Sequence, residues 1–188
     1  IHVHGQATDL HPLVLENVFI DGNGLEFGTG ACGIYVQEVS GLYWKDVTVA
    51  NNGSNQYLDI VSFFQVENAT IDFDNVKIIN NITSLSSGSN TTVSIDNCSN
   101  LSFENLLIVN NGNYNNYNGI DISSSCNNIN FNSCLIITHS TRNYDNPGYG
   151  RPIGIHINNT NNQHSINNSL ISGFKVGVSV ADNASPSI

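Results

Sequence analysis

Apolar residues in this chain come in short alternating runs, and the runs recur. Leu15, Trp44, Phe73, Phe103, Phe131 and Ile166 sit in one local frame, at steps of 29, 29, 30, 28 and 35 residues. Two positions earlier lie Leu13, Leu42, Ile71, Leu101 and Ile129, with His164 in the last copy. Two positions later comes a turn-forming residue: Asn17, Asp46, Asn75, Asn105, Ser133 or Asn168. A sustained period near thirty residues signals stacked units that share one continuous core.

Alternation with period two, rich in β-branched and aromatic residues, predicts strands. No segment keeps apolar residues three and four apart for the length a helix needs. Each unit is expected to hold two strands. The first reads Gly-apolar-x-apolar, as in Gly33-Ile34-Tyr35-Val36, Gly119-Ile120-Asp121-Ile122, Gly154-Ile155-His156-Ile157 and Gly177-Val178-Ser179-Val180. The second is the anchor run, such as Ile71 to Ile78 or Leu101 to Ile108. Strands this short cannot reverse into hairpins at every step and keep the period. A winding chain can, laying each strand parallel to its counterpart one repeat earlier. The expected fold is therefore all-β: a right-handed parallel β-helix of about six coils, the hand following from the crossover rule. At ~4.8 Å per coil the rod would stand roughly 30 Å tall. The frame residues Trp44, Phe73, Phe103 and Phe131 should stack inside, beside a column of Val49, Ile78, Ile108, Ile136 and Ile171. The period supports one domain over residues 1–188, or a fragment of a longer chain. Links of variable length, of which 138–152 is the longest, should emerge along one edge, where repeat proteins place binding loops.

Composition narrows the partners. The net charge is −10 with only five Lys and Arg, which argues against nucleic acid and against anionic membrane surfaces. No apolar run approaches the ~20 residues of a membrane span. The chain begins at Ile1 rather than Met, as expected of a processed or excised product. Asn is the commonest residue. It tolerates left-handed backbone at turns and can form hydrogen-bonded ladders between stacked strands. Cys98 and Cys126, about one repeat apart, should stand on neighbouring rungs, either as small core residues or as a disulfide. No Cys-x-x-Cys or paired Cys/His spacing points to a metal, and no cofactor is expected.

The Gly-Ile-x-Ile strands, followed by Asn-x-x-Phe and Ile-x-Asn turns, resemble the right-handed β-helix (pectate-lyase-like) superfamily. It includes pectate lyases, polygalacturonases, phage tailspikes and surface adhesins. The stretch from Leu15 to Gly24 is similar to the opening coil of several members. The resemblance covers nearly the whole chain, but its motifs are structural. It implies either a carbohydrate enzyme or a non-catalytic surface module.

Candidate chemistry gathers on the first strand's outward column: Tyr35, Ser62, Ser94, Asp121, His156 and Ser179. Asp121 and His156 should be rung neighbours, with Asp96 nearby. The 138–152 link carries both arginines, Arg142 and Arg151, together with His139, Tyr144, Asp145 and Tyr149. A base, a cation and aromatic platforms suit an acidic sugar: the base takes the C5 proton, and Arg stabilises the developing charge. On this reading Asp121, His156, Asp96 and Arg151 are the catalytic candidates, and Tyr144, Tyr149 and Arg142 the carbohydrate-binding ones. Signatures that would specify an enzyme are absent. There are no paired-Asp polygalacturonase motifs and no Asp-Pro-His-Glu run, and Arg151-Pro152 lacks the second Arg of the lyase pattern. Sequons at Asn52, Asn68, Asn81, Asn90, Asn158 and Asn167 are candidate glycosylation sites. The function expected is an extracellular or cell-surface module with a structural, adhesive, fibre or envelope role. The alternative is a polysaccharide lyase, hydrolase, epimerase or tailspike-like binder. Expected partners are carbohydrate or copies of the chain itself.

Overall fold

A computed structural model describes residues 1–4, 13–22, 34–39, 41–52, 61–66, 72–81, 90–111, 117–138, 152–158 and 163–181. Every element among them is a strand. In chain order they are β1 (His2–His4), β2 (Leu13–Glu16), β3 (Phe19–Asp21), β4 (Ile34–Gln37), β5 (Leu42–Lys45), β6 (Thr48–Ala50), β7 (Val61–Phe64), β8 (Asp72–Asp74), β9 (Lys77–Ile79), β10 (Asn90–Asp96), β11 (Ser99–Glu104), β12 (Leu107–Val109), β13 (Tyr117–Ile122), β14 (Asn127–Asn132), β15 (Leu135–Ile137), β16 (Ile153–Ile157), β17 (Ser165–Asn167), β18 (Leu170–Ser172) and β19 (Val176–Val180).

Every third strand joins the same sheet. Sheet one orders β1-β4-β7-β10-β13-β16-β19, and sheet three orders β3-β6-β9-β12-β15-β18. Sheet two comes in two sections, β2-β5-β8 and β11-β14-β17. All the ladders are parallel, and the register is the one the repeat requires. Leu15 pairs with Trp44 and Trp44 with Phe73, while Phe103 pairs with Phe131 and Phe131 with Ile166. Residues about thirty positions apart are therefore neighbours throughout.

Each repeat holds three strands, not the two expected. The anchor run divides at its turn-forming residue, which takes a left-handed backbone: Asn17 (φ 54), Asp46 (φ 52), Asn75 (φ 55), Asn105 (φ 54), Ser133 (φ 55) and Asn168 (φ 49). Left-handed backbone costs most L-residues roughly 1–2 kcal/mol, and Asn and Asp less. Pairing continues through the bend. The amides of Lys77, Leu107 and Leu135 donate to the carbonyls of Val47, Val76 and Leu106 at 2.8, 2.9 and 2.9 Å. A second left-handed column, Gly22, Asn51, Asn80 and Asn110, closes sheet three. The variable links all leave from this edge and lead to sheet one.

Buried apolar side chains from all the sheets form one cluster. Phe103 and Phe131 stack at 4.8 Å with 13° between their planes. Phe63 of sheet one reaches across to both neighbours, tilted against Trp44 at 5.5 Å and edge-on to Phe103 at 6.2 Å. That cross-core wedge was not legible in the columns. Offset and edge-on pairs add roughly 0.5–1.5 kcal/mol each beyond the area they bury.

Next to the second left-handed column lies a fully buried polar spine. Asn52, Asn81 and Asn111 are 0%, 1% and 3% exposed. Asn52 donates its backbone N–H and its Nδ2 to Asn81 Oδ1 at 2.9 and 3.0 Å. Asn81 repeats the pair of bonds to Asn111 Oδ1 at 3.0 and 2.7 Å. Their remaining Nδ2 hydrogens go to carbonyls, including Ile20 and Ala50 from Asn52, Val49 and Ile79 from Asn81, and Ile78 from Asn111. The amide is the one neutral side chain that supplies both the acceptor and the donors this position uses.

Candidate functional site

The outward column of sheet one is in register as expected. Tyr35 aligns with Ser62, Ser62 with Ser94, Ser94 with Asp121, Asp121 with His156, and His156 with Ser179. Alternation turns Tyr35, Ser94, Asp121, His156 and Ser179 outward, while Ile120, Ile122, Ile155 and Ile157 fill the core. His156 Nδ1 lies 2.6 Å from Asp121 Oδ1, with side-chain exposures of 29% and 35%. A carboxylate only accepts, so Nδ1 is the donor of this bond, which leaves Nε2 as the ring nitrogen not engaged by Asp121. Asn118 Nδ2 supports Asp121 at 3.5 Å.

Asp96 is engaged elsewhere. Its Oδ1 accepts from Ser123 Oγ at 2.6 Å and from Ser125 Oγ at 3.2 Å, so it caps the turn after β13. The structure thus brings together Asp121 and His156 and gives Asp96 a separate local role. Arg142, Arg151, Tyr144, Tyr149, His139 and Asp145 lie outside the described residues, as does Asn68. Asn90 is placed only as the first residue of β10. Among the described residues no three His, Cys, Asp or Glu side chains are grouped to hold a metal ion.

Two sequon residues are buried. The Nδ2 atoms of Asn52 and Asn81 are sealed in the buried spine, and a glycan there would break it. Asn158 and Asn167 are exposed. Cys98 and Cys126 do stand on adjacent rungs, Asn127 N–H donating to Cys98 carbonyl at 2.9 Å. They are two buried free thiols, not a disulfide. The hydrogen bond between them, and then burial, push Cys98 far above the ordinary thiol value; the same bond pulls Cys126 down. The pair therefore carries one negative charge at most. Cys134 is pushed up to about 11 by burial.

His164 occupies the inward slot of Leu42, Leu101 and Ile129, and is 3% exposed. Its Nδ1 accepts from Ile129 N–H at 3.2 Å, while the buried Nε2 has no partner. Burial lowers its pKa below 6.5. The unfolded chain then binds the proton first. Stability is full above roughly pH 6.5 and falls as pH drops through that value, by up to about 1.4 kcal/mol per pH unit. His164→Leu is expected to flatten this slope, which urea melts from pH 7 down to about pH 5 would measure.

Comparison with known proteins found no match: no family model, no curated protein and no solved structure resembles the chain closely enough to be matched.

Proposed function

We propose that the chain winds as a right-handed parallel β-helix of about six coils. We propose further that it serves as an extracellular or cell-surface module with a structural, adhesive, fibre or envelope role. The observation that carries this reading is the parallel stacking of one repeat on the next, continuous across sheets one and three. Three strands and the left-handed bends that follow them recur along the described residues, and three consecutive repeats share the buried amide spine. Parallel strands in one sheet joined by long crossovers favour the right hand. The scarcity of Lys and Arg, the short polar turns and the exposed sequons Asn158 and Asn167 fit an outer-surface setting. The pectate-lyase-like resemblance supports the winding and leaves the chemistry open.

A second reading is favoured by one contact. The 2.6 Å Asp121–His156 bond orients a base on an outer face, as a polysaccharide lyase or epimerase acting on uronic acids requires. A screen of uronic-acid polymers for absorbance from unsaturated chain ends separates the two. No activity is expected, and none that His156→Ala changes. Turnover abolished by His156→Ala would replace the structural reading with the enzymatic one.

A further inference from the structure

Between its first and second strands the chain turns a corner, and a small apolar side chain fills the inside of it. Val39 and Val66 do so after β4 and β7. Cys98 takes the place after β10 and Cys126 after β13, at 1% and 0% exposure. The backbone fixes this column. Ser99 N–H donates to the Val66 carbonyl and Asn127 N–H to the Cys98 carbonyl, both at 2.9 Å. Ladders hold the two cysteine-bearing coils in register on either side of the corner, with Ile95 opposite Ile122 and Ser99 opposite Asn127. Strands ~4.8 Å apart place paired Cα atoms within the roughly 4.4–6.8 Å that a disulfide spans. The two side chains enter the same corner and hydrogen-bond to each other, so they converge. Valine in the same column shows that packing alone does not call for sulfur. Cys134 is the contrast, because its rung neighbours are Leu106 and Ser169.

We propose that Cys98 and Cys126 are an oxidative cross-linking site, at which a low-molecular-weight disulfide such as oxidised glutathione converts the two thiols into a bond between successive coils. The thiolate of one cysteine attacks the reagent; its S–S bond breaks, one half leaves as a thiolate, and the cysteine holds the other half as a mixed disulfide. The second cysteine then attacks the first cysteine's sulfur. The protein S–S bond forms, the mixed bond breaks, and the second cysteine's proton goes to the departing thiolate. Two protein thiols are oxidised and one reagent disulfide is reduced to two thiols. Folding seals both sulfurs, so the exchange takes place while the corner is open. The closed corner has no space for a glutathione adduct, and completing the fold therefore selects the protein bridge. The bridge makes one whole coil, β11, β12 and β13 with their links, into a covalent ring. Sheet two is divided between β8 and β11, so the ring reinforces the first coil pair of its later section. The inference deepens the outer-surface reading and rests on it for where the oxidant is met, since oxidising settings preserve such bonds. Turnover of a uronic-acid polymer would strike that reading alone, and a chain that refolds without the bond would strike the bridge alone.

Refolding the reduced full chain in a mixture of reduced and oxidised glutathione tests it. Intact mass is expected to fall by two hydrogen atoms, with peptide mapping placing the bond between Cys98 and Cys126 in most molecules. Constraining the unfolded chain over a whole repeat should raise the urea midpoint by about 1 M relative to the same protein under a thiol reductant. Cys98→Val, which repeats Val66, and separately Cys126→Ala should show no such bond and give one midpoint under both conditions. Cys134→Ala should keep the bond. Mapping of the unaltered chain decides the matter even where a variant fails to fold. Refolded protein whose Cys98 and Cys126 remain thiols, or carry glutathione separately, overturns the proposal. So does a bond from either to Cys32 or Cys134, or a bridged chain no more resistant to urea than the reduced one.

Discussion

Asn81→Ala is expected to destabilise the fold by about 4 kcal/mol, lowering the melting temperature by roughly 10 °C. The effect has three parts. Asn52 loses the side-chain acceptor of its backbone N–H, and its Nδ2 loses one acceptor while keeping the Ile20 and Ala50 carbonyls. Asn111 Oδ1 loses one of two donors, and the carbonyls of Val49 and Ile79 each lose the Asn81 amide, Ile79 keeping the Asn51 N–H. These groups are buried, so water does not replace the missing partners, and an unmet buried donor or acceptor costs roughly 1–3 kcal/mol. A small cavity adds to this. Asn81 is outside the left-handed set, so backbone strain plays no part. Asn132→Ala is the control. It also removes an inter-strand amide, the one held by Glu104, but at a half-exposed position where water substitutes, and it is expected to cost under about 1 kcal/mol. Equal losses at the two positions in chemical denaturation would show that burial of the spine contributes nothing. Breaking the spine at its middle member also uncouples neighbouring repeats, so the transition should broaden, as in other nearest-neighbour arrays.

Most of this architecture is legible because the chain states it six times. The period and the position-two alternation locate nearly every inward residue, from Trp44 to Ile166, and the outward alignment of Asp121 with His156 follows from the same count. What escaped has specific causes. The third strand of each repeat was hidden because Asn75 and its counterparts interrupt the alternation without a break in the apolar pattern; the signal was the invariant place of an Asn, Asp or Ser in the frame. The buried spine was hidden because Asn52 and Asn81 look like sequons and turn residues, and polarity alone says outside. Only the requirement that every buried amide find its partners makes Asn a core residue there. The Asp96 turn cap was missed for the opposite reason. An acid near a His attracts a functional reading, while the Ser123 and Ser125 hydroxyls that hold it are twenty-seven and twenty-nine residues away.

Glycine shows where the repeat misleads. Gly119, Gly154 and Gly177 open the same motif and align on adjacent strands, so the sequence treats them alike. A Cβ at Gly154 would lie 2.3 Å from Ile171 Cγ2 and 2.5 Å from the Gly177 carbonyl oxygen, whereas one at Gly177 would meet nothing within 4 Å. At Gly154 the side chains of Ile171, from sheet three, and Phe174, from the bend after it, take the space a Cβ would need. Gly154→Ala is therefore expected to cost about 3 kcal/mol, the upper end for overpacking, because one of the two clashes is with backbone that cannot rotate away. Gly177→Ala should stay within about 0.5 kcal/mol. Ile171→Ala relieves one clash and leaves the other, so the double variant Gly154→Ala/Ile171→Ala should cost about 1–2 kcal/mol less than the two single losses combined. Denaturation of the four proteins closes the cycle. Additive losses would mean that Ile171 does not press on Gly154, and that the third sheet is not packed across the core onto the first at this point.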